Sequence, residues 1–363
     1  MDIVMIIVQS LVFLLGLMIV VMTLASALRT FVLPRSENVF LTRLVFLTVF
    51  RLFLLRLHWA SSYRERDRIL AYFAPTALLL LPLVWLICVD LGYMAMFWAL
   101  GGQTRFDAFL LSGSSLLTLG FAPVQGLAQT ILAFSEAVLG LGLVALLIAY
   151  LPTMYTAFAR REAAVQMLEV RAGAPPSAVT MIERFYRIQG LERLSEQWQM
   201  WEVWFTELEE SHTSFSPLVF FRSPRPDQSW VTAAGAVLDA AALTASTLDL
   251  PRDAQAELCI RAGYLALRSI ARFYQIPFNP DPAPTDPISV TKAEFETVYD
   301  RLADEGIPLK PDRDQAWLDF AGWRVNYDSV LITLAGMIVA PYAPWSSDRA
   351  VSFRPKLFRR SPD

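Results

Sequence analysis

Apolar residues are concentrated in the first 160 positions of the chain, where they form three runs long enough to cross a bilayer. The runs cover about residues 3–28, 69–100 and 127–159, and a transmembrane helix needs about 20 apolar residues. After residue 160, apolar and charged residues alternate with the period of soluble helices. The pattern predicts an all-α membrane protein in which three transmembrane helices precede a soluble helical domain.

Arginines indicate the side of the membrane on which the connections lie. Eight arginines and only three acidic residues fall between positions 29 and 68, and more arginines follow residue 159. Under the positive-inside rule both regions are cytoplasmic, which places the N-terminus outside and the C-terminus in the cytoplasm of what we expect to be a bacterial inner membrane.

The apolar part of this basic region is ambiguous. Residues 39–59 carry Arg43, Arg51 and Arg56, each of which costs roughly 2.5–3.5 kcal/mol at the centre of a bilayer. We predict a helix that lies at the cytoplasmic interface with lipid headgroups as its partners, and a fourth span remains the alternative.

A shorter apolar segment lies between the second and third runs. Residues 106–123, FDAFLLSGSSLLTLGFAP, are too few to cross the bilayer and are flanked by spans, as a re-entrant element is. Non-helical backbone survives at membrane depth only where it is buried in protein or lines a water-filled path. The segment therefore indicates a pore, with an apolar hairpin that only packs as the alternative.

This segment and its flanking helices resemble the two-helix pore module of the potassium-channel superfamily. The order outer helix, short pore helix, Thr118-Leu119-Gly120-Phe121-Ala122 loop and inner helix carries the likeness, which covers about residues 70–160. The loop of that family usually reads Thr-Val-Gly-Tyr-Gly before an acidic residue, whereas Ala122 and Pro123 stand at the last two positions here. The resemblance implies a homotetramer that conducts a monovalent cation, with K⁺ expected, past carbonyl oxygens of residues 118–122. It implies no other cofactor.

Glycine suits such a loop, since carbonyls that point the same way require left-handed dihedrals, which Gly120 adopts readily. Ala122 would be strained in that conformation. A less selective cation channel therefore remains an alternative, as does a non-conducting membrane receptor or scaffold built on the same fold.

Two acidic residues and two glycines within the spans are candidate functional residues. Asp90 is either functional or a structural partner for a hydroxyl or for Arg105. Glu136 either faces the ion path or braces the filter from behind, and bracing is favoured because a ring of four unpaired carboxylates is costly. Gly140 and Gly142 resemble the gating hinge of the family's inner helix, with close helix packing as the alternative.

The soluble part is predicted to be entirely helical, with a core rich in tryptophan. Ser177 is placed to cap a helix, and Thr291 with Glu294 fits a capping box. The predicted helices cover residues 177–189, 190–211, 228–248, 251–275, 291–304 and 312–339. The chain is thus divided into an N-terminal transmembrane helix, a basic interfacial helix, a pore module and a helical cytoplasmic domain, at 1–34, 35–68, 69–160 and 161–363. We expect the last to gate the pore in response to a ligand or partner protein that the sequence does not identify.

Composition changes this picture little. The 363 residues are 55% hydrophobic and carry a net charge of −3, so no basic field suggests nucleic acid as a partner. With only Cys88 and Cys259, and His58 and His212, neither a disulfide framework nor a histidine metal site is indicated. No phosphate-binding loop is visible. His212 lies among acids and hydroxyls, which we interpret as a solvated helix end rather than a catalytic set, and we predict no enzyme.

Overall fold

Every regular element in the described part of the chain is helical. The computed structural model describes residues 3–31, 40–57, 59–101 and 103–350. Its helices are α1 (Ile3–Phe31), α2 (Phe40–Leu57), α3 (Tyr63–Ala71), α4 (Phe73–Ala99), α5 (Arg105–Leu116), α6 (Gly126–Ala172), α7 (Ala178–Arg187), α8 (Leu194–Ser214), α9 (Trp230–Thr247), α10 (Ala254–Phe273), α11 (Lys292–Asp304), α12 (Arg313–Arg324) and α13 (Asp328–Met337). Parts of the predicted segments 1–34, 35–68 and 161–363, together with His58, lie outside the described residues.

Three stretches are long and apolar enough to cross a membrane. They are Ile3–Phe31, Tyr63–Ala99 and Gly126–Ala172, which fits a membrane protein. The predicted all-α class and the predicted number of candidate spans are confirmed. The arginine-bearing helix α2 is not among the three. Its side chains Phe46, Phe50 and Phe53 surround Phe73 of α4, while Arg51 is exposed.

The outer helix differs from the prediction at its start. The helical stretch begins at Tyr63 rather than at residue 69, and it is interrupted at Tyr72 between α3 and α4. Pro75 lacks the amide hydrogen that would donate to the carbonyl of Ala71 in a continuous helix, so the interruption falls one turn before it. The helix predicted at residues 39–59 is present as α2, and its place at the membrane interface stays a prediction.

Two other helix boundaries were mispredicted. The inner helix α6 does not end at residue 159 but continues to Ala172, and Gly173 follows it with a φ of +83°. The predicted helix 312–339 is two helices, α12 and α13. Asn326 divides them because its side-chain amide donates to the carbonyls of Gly322 and Trp323, which satisfies acceptors at the end of α12.

The chain forms two compact units. Among the described residues, the first comprises those within 1–156 together with 214–217, and the second comprises those within 157–213 and from 218 onwards. In the first unit, α1 and α4 cross at Gly16 and Gly92, where a Cβ on Gly16 would lie 2.4 Å from the carbonyl oxygen of Gly92. Nearby, the indole N–H of Trp85 donates to the hydroxyl of Ser26 over 3.2 Å. Small residues thus let the two backbones approach closely.

The second unit has the tryptophan-rich core that the sequence predicts. Both predicted caps are present, at Ser177 for α7 and at Thr291 with Glu294 for α11. Helix α9 is buried along almost its whole length and lies at the centre of the core. The tryptophans are buried at Trp198, Trp201, Trp204 and Trp230 and partly buried at Trp317 and Trp323.

Candidate functional site

The short helix α5 occupies the place of the predicted pore helix. It has 12 residues and is about 18 Å long, well below the roughly 30 Å of a bilayer core. A capping box starts it: the amide of Asp107 donates to the Thr104 hydroxyl, and the amide of Thr104 donates to the Asp107 carboxylate over 3.1 Å. Its buried residues include Leu111, Ser112 and Ser114. The helix therefore presents two hydroxyls to its protein neighbours rather than to solvent.

Ser114 anchors the loop that follows α5. Its carbonyl oxygen accepts the amides of Leu119 and Gly120, over 2.8 Å and 3.3 Å. Its hydroxyl oxygen accepts the amides of Phe121 and Ala122, over 3.0 Å and 3.2 Å. Four consecutive peptide N–H groups thus converge on one residue. Sequence reasoning missed this role of Ser114, for which the serine-rich end of the predicted helix is the only local signal.

This convergence fixes the direction of the loop carbonyls. In a planar trans peptide the C=O and N–H bonds point in opposite directions. Because the amides of residues 119–122 face Ser114, the carbonyl oxygens of residues 118–121 face away from it. The side chains of the loop are not packed against the rest of the chain: Leu119 and Phe121 are 60% and 61% exposed, and nothing lies within 4 Å of the position of a Cβ on Gly120.

The backbone dihedrals that allow this arrangement are those of Thr118 and Gly120. Thr118 has a φ of +55° and Gly120 a φ of +70°. Gly120 adopts this conformation at no steric cost, as predicted, whereas a β-branched threonine there is a strained outlier. Ala122 does not adopt a positive φ. The strain expected at Ala122 is therefore absent, and it lies instead at Thr118, where the sequence did not indicate it.

Ser112 of α5 contacts both residues that carry the candidate acids, Glu136 through its carboxylate and Asp90 through its backbone. The Ser112 hydroxyl lies 2.5 Å from Glu136 Oε1 and 2.9 Å from the backbone carbonyl oxygen of Asp90. Glu136 is fully buried. This placement favours bracing over an ion-path role for Glu136, whereas the contact of Ser112 with Asp90 is to the backbone, so the role of the Asp90 carboxyl stays a prediction. Arg105 instead stacks over the ring of Trp98.

The two candidate hinge glycines have different surroundings within a continuous helix. A Cβ on Gly140 would lie 2.2 Å from the carbonyl oxygen of Leu116, at the end of α5. A Cβ on Gly142 would meet nothing within 4 Å. Gly140 is thus required for close packing of α6 on α5, which is the alternative that the sequence left open, and bending at Gly142 stays a prediction.

A buried polar cluster in the second unit was also missed. Arg161 is almost completely buried, and its guanidinium donates to the carbonyl oxygens of Leu218 and Phe221 and to the carboxylate of Glu162. Its Nη1 also lies 3.2 Å from Nε2 of His212. The cluster joins the C-terminal half of α6 to the end of α8.

The surroundings of His212 fix its protonation. Arginine can only donate, so Nε2 of His212 accepts from Arg161, and Nδ1 carries the hydrogen that faces the Ser211 hydroxyl at 3.1 Å. Burial, followed by the charge of Arg161, lowers the pKa of His212 well below its ordinary value. The prediction of a solvated helix end is wrong, because the imidazole is fully buried.

No family model, curated protein or solved structure matches this chain.

Proposed function

We propose that four copies of the chain form a cation channel, with the loops after α5 arranged around a shared axis. The observation that carries this proposal is the convergence of four amides on Ser114, which directs a row of four carbonyl oxygens away from Ser114. Rings of such oxygens replace the hydration shell of a cation. The resemblance to the potassium-channel pore module makes K⁺ the expected ion.

The arginines support an orientation for this channel. In the proposed arrangement the N-terminus is outside, α2 lies on the cytoplasmic surface with Arg51 and Arg56 directed to lipid phosphates, and residues after 160 are cytoplasmic. Both arginines are exposed on α2, as that role requires. A bacterial inner membrane is the proposed location.

The helical second unit is proposed to control opening. Helix α6 extends from Gly126 to Ala172 and contributes residues to both units. A displacement of its C-terminal part would be carried along the hydrogen-bonded helix towards the loop. The ligand or partner that would cause it is unknown.

The test is K⁺ flux through the purified protein in liposomes, with Gly120→Ala as the variant. Alanine at a φ of +70° costs about 1–2 kcal/mol, so the carbonyl row should be distorted and the flux should be lost. Gly126→Ala is the matched control because Gly126 has a φ of +73°, has equally open surroundings and lies beyond the loop. Equal flux in Gly120→Ala and the parent would reject the filter assignment.

A less selective cation channel is the second candidate. Left-handed dihedrals occur at Thr118 and Gly120 but not at Ala122, so the carbonyl row supported by Ser114 stops at residue 121. Fewer coordinating oxygens would weaken discrimination between ions of equal charge. Reversal potentials in opposed Na⁺ and K⁺ solutions separate the two candidates: a potential near zero indicates the non-selective channel.

A further inference from the structure

The Ser112 hydroxyl has two possible acceptors but only one hydrogen. Glu136 Oε1 lies 2.5 Å away and the backbone carbonyl oxygen of Asp90 lies 2.9 Å away, and neither is a donor if Glu136 is ionised. With Glu136 ionised, the single hydroxyl hydrogen of Ser112 can lie along only one of these two contacts, and the other brings two acceptor oxygens together. If Glu136 carries a proton on Oε1, it donates to Ser112, and Ser112 donates to the Asp90 carbonyl. Only the protonated acid makes both contacts hydrogen bonds.

The remaining surroundings of Glu136 provide nothing to stabilise a negative charge. Its Oε2 is buried without a hydrogen-bond partner, and no Arg or Lys side chain in the described residues forms an ion pair with it. The titratable groups that face it are the Asp90 carboxyl and the Tyr93 phenol, both on α4. The Asp90 Oδ1 is itself buried and unpartnered, and the Tyr93 hydroxyl is bonded to Ser135. A buried carboxylate without a cation is costly.

We propose that Glu136 is a proton-binding site whose proton completes a donor chain from Glu136 to Ser112 to the Asp90 carbonyl and so fixes α5 between α4 and α6. Ser112 and Ser114 lie in the same turn region of α5, and Ser114 holds the loop amides. Loss of the proton breaks one bond of the chain, loosens α5 and disorders the carbonyl row. The coupling of this site to conduction rests on the proposed function, whereas the location of the proton does not.

Infrared spectroscopy of the full-length protein in lipid locates the proton without any flux measurement. The parent should show the C=O stretching band of a protonated carboxylic acid near neutral pH. That band should disappear in Glu136→Gln and remain in Asp90→Asn. Absence of the band from the parent, or its persistence in Glu136→Gln, would overturn the proposal.

Flux at different pH values tests the coupling. In the parent, flux should fall about tenfold for each pH unit above the pH at which Glu136 loses its proton, as expected for a single titrating group. Glu136→Gln should show the flux that the parent has at low pH. That flux should change less than twofold over the same pH range, since the amide N–H₂ of glutamine donates at every pH. Ser112→Ala should lower flux at all pH values, because it removes the link of the chain.

The outcomes separate the two proposals. A Glu136→Gln variant that titrates like the parent, or that assembles normally but does not conduct, contradicts the donor role of Glu136. A parent without flux at any pH refutes the proposed channel function, and the infrared result still decides whether Glu136 holds the proton.

Discussion

Replacing Ser114 by alanine removes two of the four hydrogen bonds that hold the loop after α5. The two bonds to the backbone carbonyl remain and serve as a reference within the same protein. The Ser114 hydroxyl accepts the amides of Phe121 and Ala122, and both bonds are lost in Ser114→Ala. The backbone carbonyl, which accepts the amides of Leu119 and Gly120, remains. Each bond contributes about 0.5–1.5 kcal/mol, so the loop should lose about 1–3 kcal/mol of local stability.

Amide hydrogen exchange measures this loss residue by residue. At 1.4 kcal/mol per factor of ten, exchange at residues 121 and 122 should accelerate roughly 5- to 140-fold, with a much smaller change at residues 119 and 120. K⁺/Na⁺ selectivity should fall in parallel if the loop is a filter. Ser115→Ala is the matched control, since the hydroxyl of Ser115 makes no hydrogen bond among the described residues. Unchanged exchange at residues 121 and 122 in Ser114→Ala would refute the anchoring role.

Two further predictions concern α6 and the second unit. Gly140→Ala should lower the melting temperature of the detergent-solubilised protein and Gly142→Ala should not, because only the first added methyl would meet the carbonyl of Leu116; the reverse order would contradict the packing role. The second concerns His212. Below about pH 6.5 its imidazole binds a proton in the unfolded chain but stays neutral in the folded one. The free energy of unfolding should therefore keep its full value above that pH and fall below it, by at most about 1.4 kcal/mol per pH unit. Melting scans between pH 7.5 and 5.5 should show this slope in the parent and a shallower slope in His212→Gln, which can still accept from Arg161; equal slopes would show that His212 is not the titrating group.

Features with local causes were predictable from the sequence. The candidate spans follow from the length of the apolar runs, the cap at Ser177 follows from the proline-rich break before it, and the capping box at Thr291 follows from Glu294 three positions later. The core position of Trp198 and Trp201 follows from their helical spacing. In each case the signal and the structure it specifies lie within one or two helical turns.

Features that depend on contacts outside a single helix were not predictable, whether the partners are near or distant in the sequence. The left-handed Thr118 is held by amides bonded to Ser114, and no propensity favours that conformation for threonine. His212 is hydrophilic and follows two glutamates closely in the sequence. Its side chain is nevertheless buried, where it bonds to Arg161, 51 positions earlier. The meeting of Ser112 with Glu136 likewise joins residues 24 apart on different helices. For the candidate site, the loop residues were found from the sequence, but the side chains that hold them were not.

The Gly16–Gly92 crossing has a consequence for biogenesis. As the chain leaves the ribosome, α1 enters the membrane long before α4 exists, so its small-residue face must first be solvated by lipid. Helix α1 can remain in the lipid alone, because the rest of the folded chain covers only 11% of its most apolar window. A chain from which Ile3–Phe31 is deleted should still insert its later helices, but the indole N–H of Trp85 would lose the Ser26 hydroxyl as its acceptor, at a cost of about 1–3 kcal/mol.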